Sequence, residues 1–141
     1  MKCVIYPTNS LKEYKYVVVL SLFQGKLLLS RHKQRTTWET QGGHIEPGET
    51  PYMAACRELY EESGAKGYTL EPLCDYYAED DTSHAGGMAF LARIEKLGPL
   101  PESEMAETAL FETLPEQLTY PGITPRLYRY CLKDQAERAE T

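Results

Sequence analysis

The chain has 141 residues and a formal net charge of −6, and apolar residues make up 42% of it against 26% charged residues. This composition excludes a disordered or collagen-like chain, and the length predicts a single domain over residues 1–141. The negative charge disfavours sequence-independent binding to a nucleic-acid backbone, so a phosphate compound would need a cation as mediator. Neither a secretory signal nor an apolar run long enough to span a membrane is apparent, which predicts a cytoplasmic protein with no membrane partner.

The cysteines do not form a metal or redox motif. Their positions are widely spaced, without a C-x-x-C pair: Cys3, Cys56, Cys74 and Cys131. Such spacing favours neither a zinc site nor a redox pair, and we expect reduced, partly buried thiols.

Strand patterns open the chain. Residues 16–23 are rich in β-branched and apolar side chains, Gln24-Gly25 is a turn signal, and the apolar pattern resumes over residues 26–30. Together these segments predict a hairpin. Residues 37–39 predict a further short strand that runs towards Gly42-Gly43.

The first helix has clear local boundaries. Thr50 is a suitable N-cap, and Pro51 suits the first helical position because its missing amide hydrogen costs nothing there. Gly64 suits the left-handed position after the last turn. The sequence therefore predicts a helix over residues 51–63.

The second half of the chain mixes strands with one more helix. Residues 68–77 and 88–94 predict strands separated by a loop, 78–87, that is long enough to line a site. Thr124-Pro125 repeats the cap signature and predicts a helix that ends near Glu137. Because strands and helices do not alternate regularly, the pattern favours an α+β fold over a doubly wound parallel sheet.

Three carboxylates share one face of the first helix. Glu58, Glu61 and Glu62 are spaced at offsets of 0, 3 and 4, and the packing face predicted opposite them consists of Tyr52, Cys56, Leu59 and Ser63. The small side chain of Ala54 is predicted on the acidic side, where it would leave room for a ligand. These acids could form a solvated face, or, with carbonyls from the glycine-rich loop before the helix, a site for a hard cation such as Mg²⁺ or Mn²⁺.

Residues 43–65 resemble the signature of the Nudix hydrolase family, G-x5-E-x7-R-E-U-x-E-E-x-G-U, where U is a bulky aliphatic residue. The matching positions are Gly43, Glu49, Arg57, Glu58, Leu59, Glu61, Glu62 and Gly64. Ala65 departs from the pattern, since the family has a bulky aliphatic residue there. The resemblance implies a mixed β-sheet between α-helices and a hydrolase of pyrophosphate bonds.

The resemblance also implies a role for each matching position. Glu58, Glu61 and Glu62 would hold Mg²⁺ or Mn²⁺ together with the Gly42 carbonyl. Arg57 and Glu49 would form a supporting ion pair, with Gly43 and Gly64 as structural residues. Family members often add an acid from late in the chain, for which Glu104 is the candidate and Glu107 the alternative. The candidate catalytic residues are Glu58, Glu61, Glu104 and Arg57, and either Glu58 or Glu104 could be the base that activates water.

Other positions concern the substrate. Arg31 and Arg35 are candidates for gripping phosphate oxygens, because guanidinium groups do so in bidentate fashion, and His44 is a weaker candidate. Thr40-Gln41 replaces the family's frequent Phe-Pro, and His44 replaces a common Lys. Trp38 is predicted to pack in the core.

Short segments point to a branch of the family. Arg35 and residues 114–118 resemble the branch of nucleoside triphosphate and RNA 5′-pyrophosphohydrolases. We therefore expect a nucleoside triphosphate, oxidised or not, or an RNA 5′-triphosphate end as substrate. The alternatives are a nucleotide-sugar or dinucleoside-polyphosphate hydrolase and a non-catalytic nucleotide-sensing module. The sequence leaves the oligomeric state open.

Overall fold

The computed structural model describes residues 1–140, which form strands and helices in mixed order. The strands are β1 (Lys2–Tyr6), β2 (Tyr16–Phe23), β3 (Lys26–His32), β4 (Trp38–Glu39), β5 (Gln41–His44), β6 (Ala65–Glu79), β7 (His84–Leu97) and β8 (Met105–Phe111). The helices are α1 (Pro51–Ser63) and α2 (Thr124–Ala139). No helix within the described residues is long and apolar enough to cross a membrane.

The strands form one mixed sheet in the order β1-β6-β7-β2-β3-β4, to which β5 is added by pairing with β2 and β8 by pairing with β3. The β2–β7 pair is parallel, whereas the other pairs are antiparallel. The predicted β2–β3 hairpin is confirmed, with Phe23 opposite Lys26 across the turn.

Alternating side chains of β2 divide the core between the two faces of the sheet. Val17 and Val19 belong to the apolar cluster that includes Leu59 of α1. Leu20 belongs to a second cluster, which includes Leu127 of α2. Since successive strand residues point to opposite faces, α1 and α2 cover opposite sides of the sheet. The predicted α+β fold, a mixed sheet between helices, is confirmed.

Helix α1 has the predicted bounds and caps. Thr50 Oγ1 accepts a hydrogen bond from Met53 N at 3.1 Å, and Gly64 adopts φ of 80° after the last turn. The predicted packing face is partly wrong, because Tyr52 is 48% exposed whereas Ala54 is fully buried. Small side chains let the helix lie close to the sheet, so Ala54 serves the core and leaves no room for a ligand on its side.

Other boundaries differ from the sequence prediction. The predicted loop over residues 78–87 is wrong, since β6 and β7 extend through most of it and leave a turn at residues 80–83. Asp80 closes this turn by accepting hydrogen bonds from Thr82 N and Ser83 N, both at 2.9 Å. Thr124 is the first helical residue of α2 and not its cap, because Ile123 takes the cap position without a side-chain hydrogen bond.

Candidate active site

The strand pair β2–β5 places the start of the Nudix-like motif beside the sheet centre. Val18 lies opposite Gly42 and Val17 opposite Gly43. Gly42 has φ of 153°, and a Cβ there would overlap the carbonyl oxygen of Val17. A side chain at Gly42 would therefore force β5 away from β2, so the close approach of the two strands requires glycine.

Arg57 connects α1 with the loop before it. Its Nε donates to Glu49 Oε2 at 2.8 Å, and its Nη2 donates to Glu49 Oε1 at 2.9 Å and to the His44 carbonyl at 3.0 Å. Hydrogen bonds from Arg57 are the main reason why the pKa of Glu49 is lowered to about 2. The predicted Arg57–Glu49 ion pair is thus present, in the bidentate form that fixes the orientation of a guanidinium group.

Glu58 is held between Arg57 and the backbone of β5. Arg57 Nη1 donates to Glu58 Oε1 at 2.7 Å. A Cβ at Gly43 would come within 2.7 Å of the same oxygen, so the glycine leaves the space that the carboxyl occupies. Burial raises the pKa of Glu58, although Arg57 opposes this shift.

Glu62 lies deeper, at the contact of α1 with β5. Its Oε1 accepts a hydrogen bond from Gly42 N at 2.7 Å. Burial raises the pKa of Glu62 to about 9, and the charges of Glu58, Glu39 and Glu104 add to the effect. Because residues 1–140 supply one hydrogen bond but no cation to this carboxyl, a proton or a metal ion would stabilise it.

The remaining predicted acids lie around this pair. Glu61 is about half exposed, and its Oε2 lies 3.4 Å from Arg57 Nη1. Glu104 directly precedes β8, and its Oε2 lies 3.6 Å from His32 Nε2. Glu107 lies within β8, where it pairs with Arg31 at 2.7 Å. This pairing favours Glu104 over Glu107 as the late acid, and its catalytic role stays a prediction.

The donor set suits a hard cation in its chemistry. Glu58, Glu61 and Glu62 offer carboxylate oxygens along one side of α1, and Glu62 is a partly buried carboxyl with no cationic partner among the described residues. Among residues 1–140, however, no three His, Cys, Asp or Glu side chains converge on one point. To bind an ion, the carboxylates would therefore have to rotate towards a common point. Glu58 would have to coordinate the ion while it still accepts its hydrogen bond from Arg57.

A cavity of about 450 Å³ is lined by Gly42 and Gly43, the two residues of β5 that also contact Glu62 and Glu58 of α1. Its wall includes Gly42, Gly43 and His44, and the ring of His44 lies 4.5 Å from that of Tyr16 at an interplanar angle of 55°. Tyr76 and Tyr120 add aromatic surface. A volume and lining of this kind suit a small organic molecule with a planar group.

The predicted phosphate-binding residues have different surroundings. His44 lines the cavity, whereas Arg31 and Arg35 do not. Arg31 pairs with Glu107 at 2.7 Å, and Arg35 Nη1 lies 3.3 Å from Glu39 Oε1. Both arginines already have acidic partners, and their phosphate contacts remain predictions.

The residues of the cavity that sequence reasoning missed include Lys15, Tyr16 and Tyr120. The Tyr16–His44 neighbourhood depends on the pairing of β2 with β5, two strands that the sequence separates by β3 and β4. The sequence feature that could have drawn attention to Lys15 is its position directly before the first long apolar strand.

Comparison with known proteins agrees with this fold and this motif. The NUDIX domain family model matches residues 13–130, and the chain therefore belongs to the Nudix family.

Two relatives illustrate the range within the family. "Putative 8-oxo-dGTP diphosphatase YtkD" of Bacillus subtilis (strain 168) is 37% identical over 108 residues, which cover 74% of this chain and 66% of YtkD. An RNA pyrophosphohydrolase of Francisella philomiragia is 39% identical over 54 residues, which cover 38% of this chain and 35% of that protein. The chain thus spans less than two thirds of the length of each relative.

A solved structure extends the likeness to the whole fold. The Bacillus subtilis pyrophosphohydrolase BsRppH superposes with a TM-score of 0.80 and 26% identity, covering 94% of this chain and 90% of BsRppH. UDP-X diphosphatase superposes with a TM-score of 0.76 at 20% identity, covering 94% of this chain and 68% of that one, and shows the shared fold alone.

Proposed function

We propose that this chain is a Mg²⁺- or Mn²⁺-dependent pyrophosphohydrolase built as one Nudix domain. Its substrate would be a nucleoside diphosphate linked to another group, with a nucleoside triphosphate, oxidised or not, or an RNA 5′-triphosphate end as the favoured forms. The observation that carries this proposal is that Glu58 and Glu62 of α1 contact the glycine pair of β5, which also lines a cavity of nucleoside size. The names of YtkD and of the RNA pyrophosphohydrolase support the substrate class.

Each candidate residue would have a role that follows from its position in the site. Glu58, Glu61 and Glu62 would hold the metal ion with the Gly42 carbonyl and Glu104. A bound divalent cation supplies charge neutralisation on the phosphate oxygens and lowers the pKa of a bound water. Arg57 would orient Glu58 through their 2.7 Å hydrogen bond.

Proton removal from the attacking water falls to Glu58 or Glu104. Glu58 lies close to the glycine loop, and burial raises its pKa, which improves a carboxylate as a base. Glu104 is largely exposed, and its position before β8 leaves it free to turn towards the site. In either case the water oxygen bonds to phosphorus while the bond from phosphorus to the bridging oxygen breaks.

A substrate panel with Mg²⁺ tests the proposal. It should contain nucleoside triphosphates with and without an oxidised base, nucleotide sugars, dinucleoside polyphosphates and RNA with a 5′-triphosphate. We expect turnover of a triphosphate or of the RNA end, with loss of most activity in Glu61→Gln. Preference for a nucleotide sugar or a dinucleoside polyphosphate would reassign the substrate. Binding of nucleotide and metal without any turnover would identify a sensing module and contradict the enzyme assignment.

A further inference from the structure

We propose that Lys15 binds the substrate phosphate nearest the nucleoside, and that the buried Asp75 positions the segment that carries Lys15. This inference rests on the proposed function, because it specifies how the same site takes its substrate. It assigns a binding role to a lysine outside the Nudix motif.

Lys15 lies where the cavity meets the start of the motif. It is part of the cavity wall and directly precedes Tyr16, which lies opposite His44. Its backbone is held on both sides, since Lys15 N donates to the Gly86 carbonyl at 2.9 Å and Ile45 N donates to the Lys15 carbonyl at 3.0 Å. The main chain at Lys15 therefore connects β7 with the loop that leads to α1.

The charge of Lys15 is available to a ligand. Among residues 1–140, Lys15 is the only lysine or arginine in the cavity wall. No acidic side chain of these residues forms a salt bridge with it. Its Nζ lies 5.4 Å from the ring centroid of Tyr16, so the aromatic surface keeps the ammonium at the wall. By contrast, Arg31 and Arg35 both face carboxylates.

The two neighbouring surfaces indicate which phosphate would meet this charge. The cavity suits the nucleoside, and the carboxylates of α1 suit the metal-bridged phosphates. A phosphate that joins the two parts would lie at the part of the cavity wall formed by Gly43, which pairs with Val17 two residues after Lys15. A lysine ammonium there would offset the phosphate charge in a protein of net negative charge.

Asp75 holds the segment in front of Lys15. Its side chain is fully buried in β6, and its Oδ2 accepts hydrogen bonds from Ser10 N at 2.8 Å, Leu11 N at 3.1 Å and the Tyr14 hydroxyl at 2.5 Å. Its Oδ1 has no partner within the described residues. Three donors from one short segment thus converge on one buried oxygen, which ties residues 10–14 to the sheet directly before Lys15.

Calorimetric binding of product-like ligands tests the role of Lys15. The probes are AMP, GMP, CMP and UMP with their four nucleosides, compared for the pair that the wild-type protein binds best. We expect Lys15→Ala to weaken monophosphate binding about tenfold, as for one lost charge-assisted contact, and to leave nucleoside binding unchanged. Lys15→Arg should restore most of the affinity. Lys12→Ala is the matched control, since Lys12 is exposed on the same segment but does not line the cavity.

A double-mutant cycle tests the role of Asp75. Asp75→Asn keeps the shape but replaces charge-assisted hydrogen bonds by weaker neutral ones, so we expect a severalfold loss of monophosphate affinity. That loss should disappear in the Lys15→Ala background, because Asp75 acts through Lys15. Tyr14→Phe removes one of the three donors and serves as a milder variant if Asp75→Asn does not fold. If Asp75 had a purely structural role, Asp75→Asn would lower the free energy of unfolding, and its loss of monophosphate affinity would persist unchanged in the Lys15→Ala background.

The outcomes separate this inference from the proposed function. Wild-type affinity of Lys15→Ala for the monophosphate, or equal losses for monophosphate and nucleoside, would overturn the role of Lys15 and leave the hydrolase proposal intact. If the losses of monophosphate binding free energy in Asp75→Asn and Lys15→Ala add up in the double variant, the positioning role of Asp75 is overturned. A wild-type protein that binds none of the probes would overturn the inference, whereas failure of the proposed function would show as absence of turnover in the substrate panel.

Discussion

Replacing Glu62 by glutamine is expected to stabilise the metal-free protein above pH 5 while abolishing turnover. Burial raises the pKa of Glu62 from 4.5 to about 9, even though Gly42 N donates a hydrogen bond to it. In the unfolded chain the carboxyl ionises near its ordinary value, so the folded state binds more protons between these two values. The protonated Glu62 therefore favours folding at low pH, and this contribution is lost as the pH rises towards 9.

The size of the effect follows from the two pKa values. One pKa unit corresponds to about 1.4 kcal/mol, which gives a loss of about 4 kcal/mol between pH 5 and pH 8. Water that reaches the half-buried carboxyl reduces this figure, so we expect a loss of about 2 to 4 kcal/mol. Glutamine keeps the shape and the Oε1 acceptor for Gly42 N but carries no charge, and should remove this part of the pH dependence.

Urea unfolding in EDTA at pH 5 and pH 8 measures the difference. The wild-type protein should lose more free energy of unfolding between the two pH values than Glu62→Gln does. Glu61→Gln is the matched control, because Glu61 lies one residue away and is 49% exposed, and it should keep the wild-type dependence. Mg²⁺ should raise the Tm of the wild-type protein at pH 8 more than that of Glu62→Gln. Equal pH dependence in wild type and Glu62→Gln would refute the reasoning, since the carboxyl would then ionise in the fold without cost.

Three further substitutions test the neighbouring contacts. Gly43→Ala places a Cβ within 2.7 Å of Glu58 Oε1, and the displaced carboxyl should lower kcat about 100-fold with little change in Tm. Arg57→Gln removes the hydrogen bonds of 2.8 and 2.9 Å to Glu49 and should also lower kcat, and Arg57→Lys should not restore it because an ammonium group lacks the fork. Thr50→Ala removes the N-cap of α1, which should cost about 1 kcal/mol in urea unfolding and leave kcat unchanged.

Controls distinguish these predictions from general damage. Gly42→Ala is the steric contrast to Gly43→Ala, because its Cβ would overlap the Val17 carbonyl in the neighbouring strand, and it should lower the Tm strongly. Wild-type kcat in Gly43→Ala would contradict the assigned position of Glu58. Full activity of Arg57→Lys would show that charge suffices, and a loss of activity in Thr50→Ala at unchanged stability would contradict its role as a cap.

Helix α1 could be predicted to the residue because its signals are local. Thr50, Pro51 and Gly64 each act within one turn of the helix end, and the structure places the helix between them. The face that packs against the sheet was harder to predict, since Tyr52 and Ala54 exchanged their expected places. Helical periodicity gives the direction of each side chain, but not how closely the sheet approaches.

Two strands whose partners lie far away in sequence, β1 and β8, were not predicted from the sequence. β1 pairs with β6, which lies about half the chain away in sequence, and β8 pairs with β3. Neither strand has a strong periodic pattern of its own, and their backbone groups are satisfied by segments far away in sequence. For the same reason the β6–β7 hairpin reaches through residues that look like a loop, because each strand supplies the hydrogen bonds that the other needs.

The sequence by itself determined that three carboxylates lie along one side of α1, because the spacing of Glu58, Glu61 and Glu62 is a property of one helix. Only the tertiary structure decided which cations remain available to a substrate. Arg31 and Arg35 meet acidic partners, whereas Lys15 lines the cavity at the start of the β2–β5 pair. An ion pair depends on distance in space, and that distance is set by strand pairing and burial, which spacing along the chain does not encode.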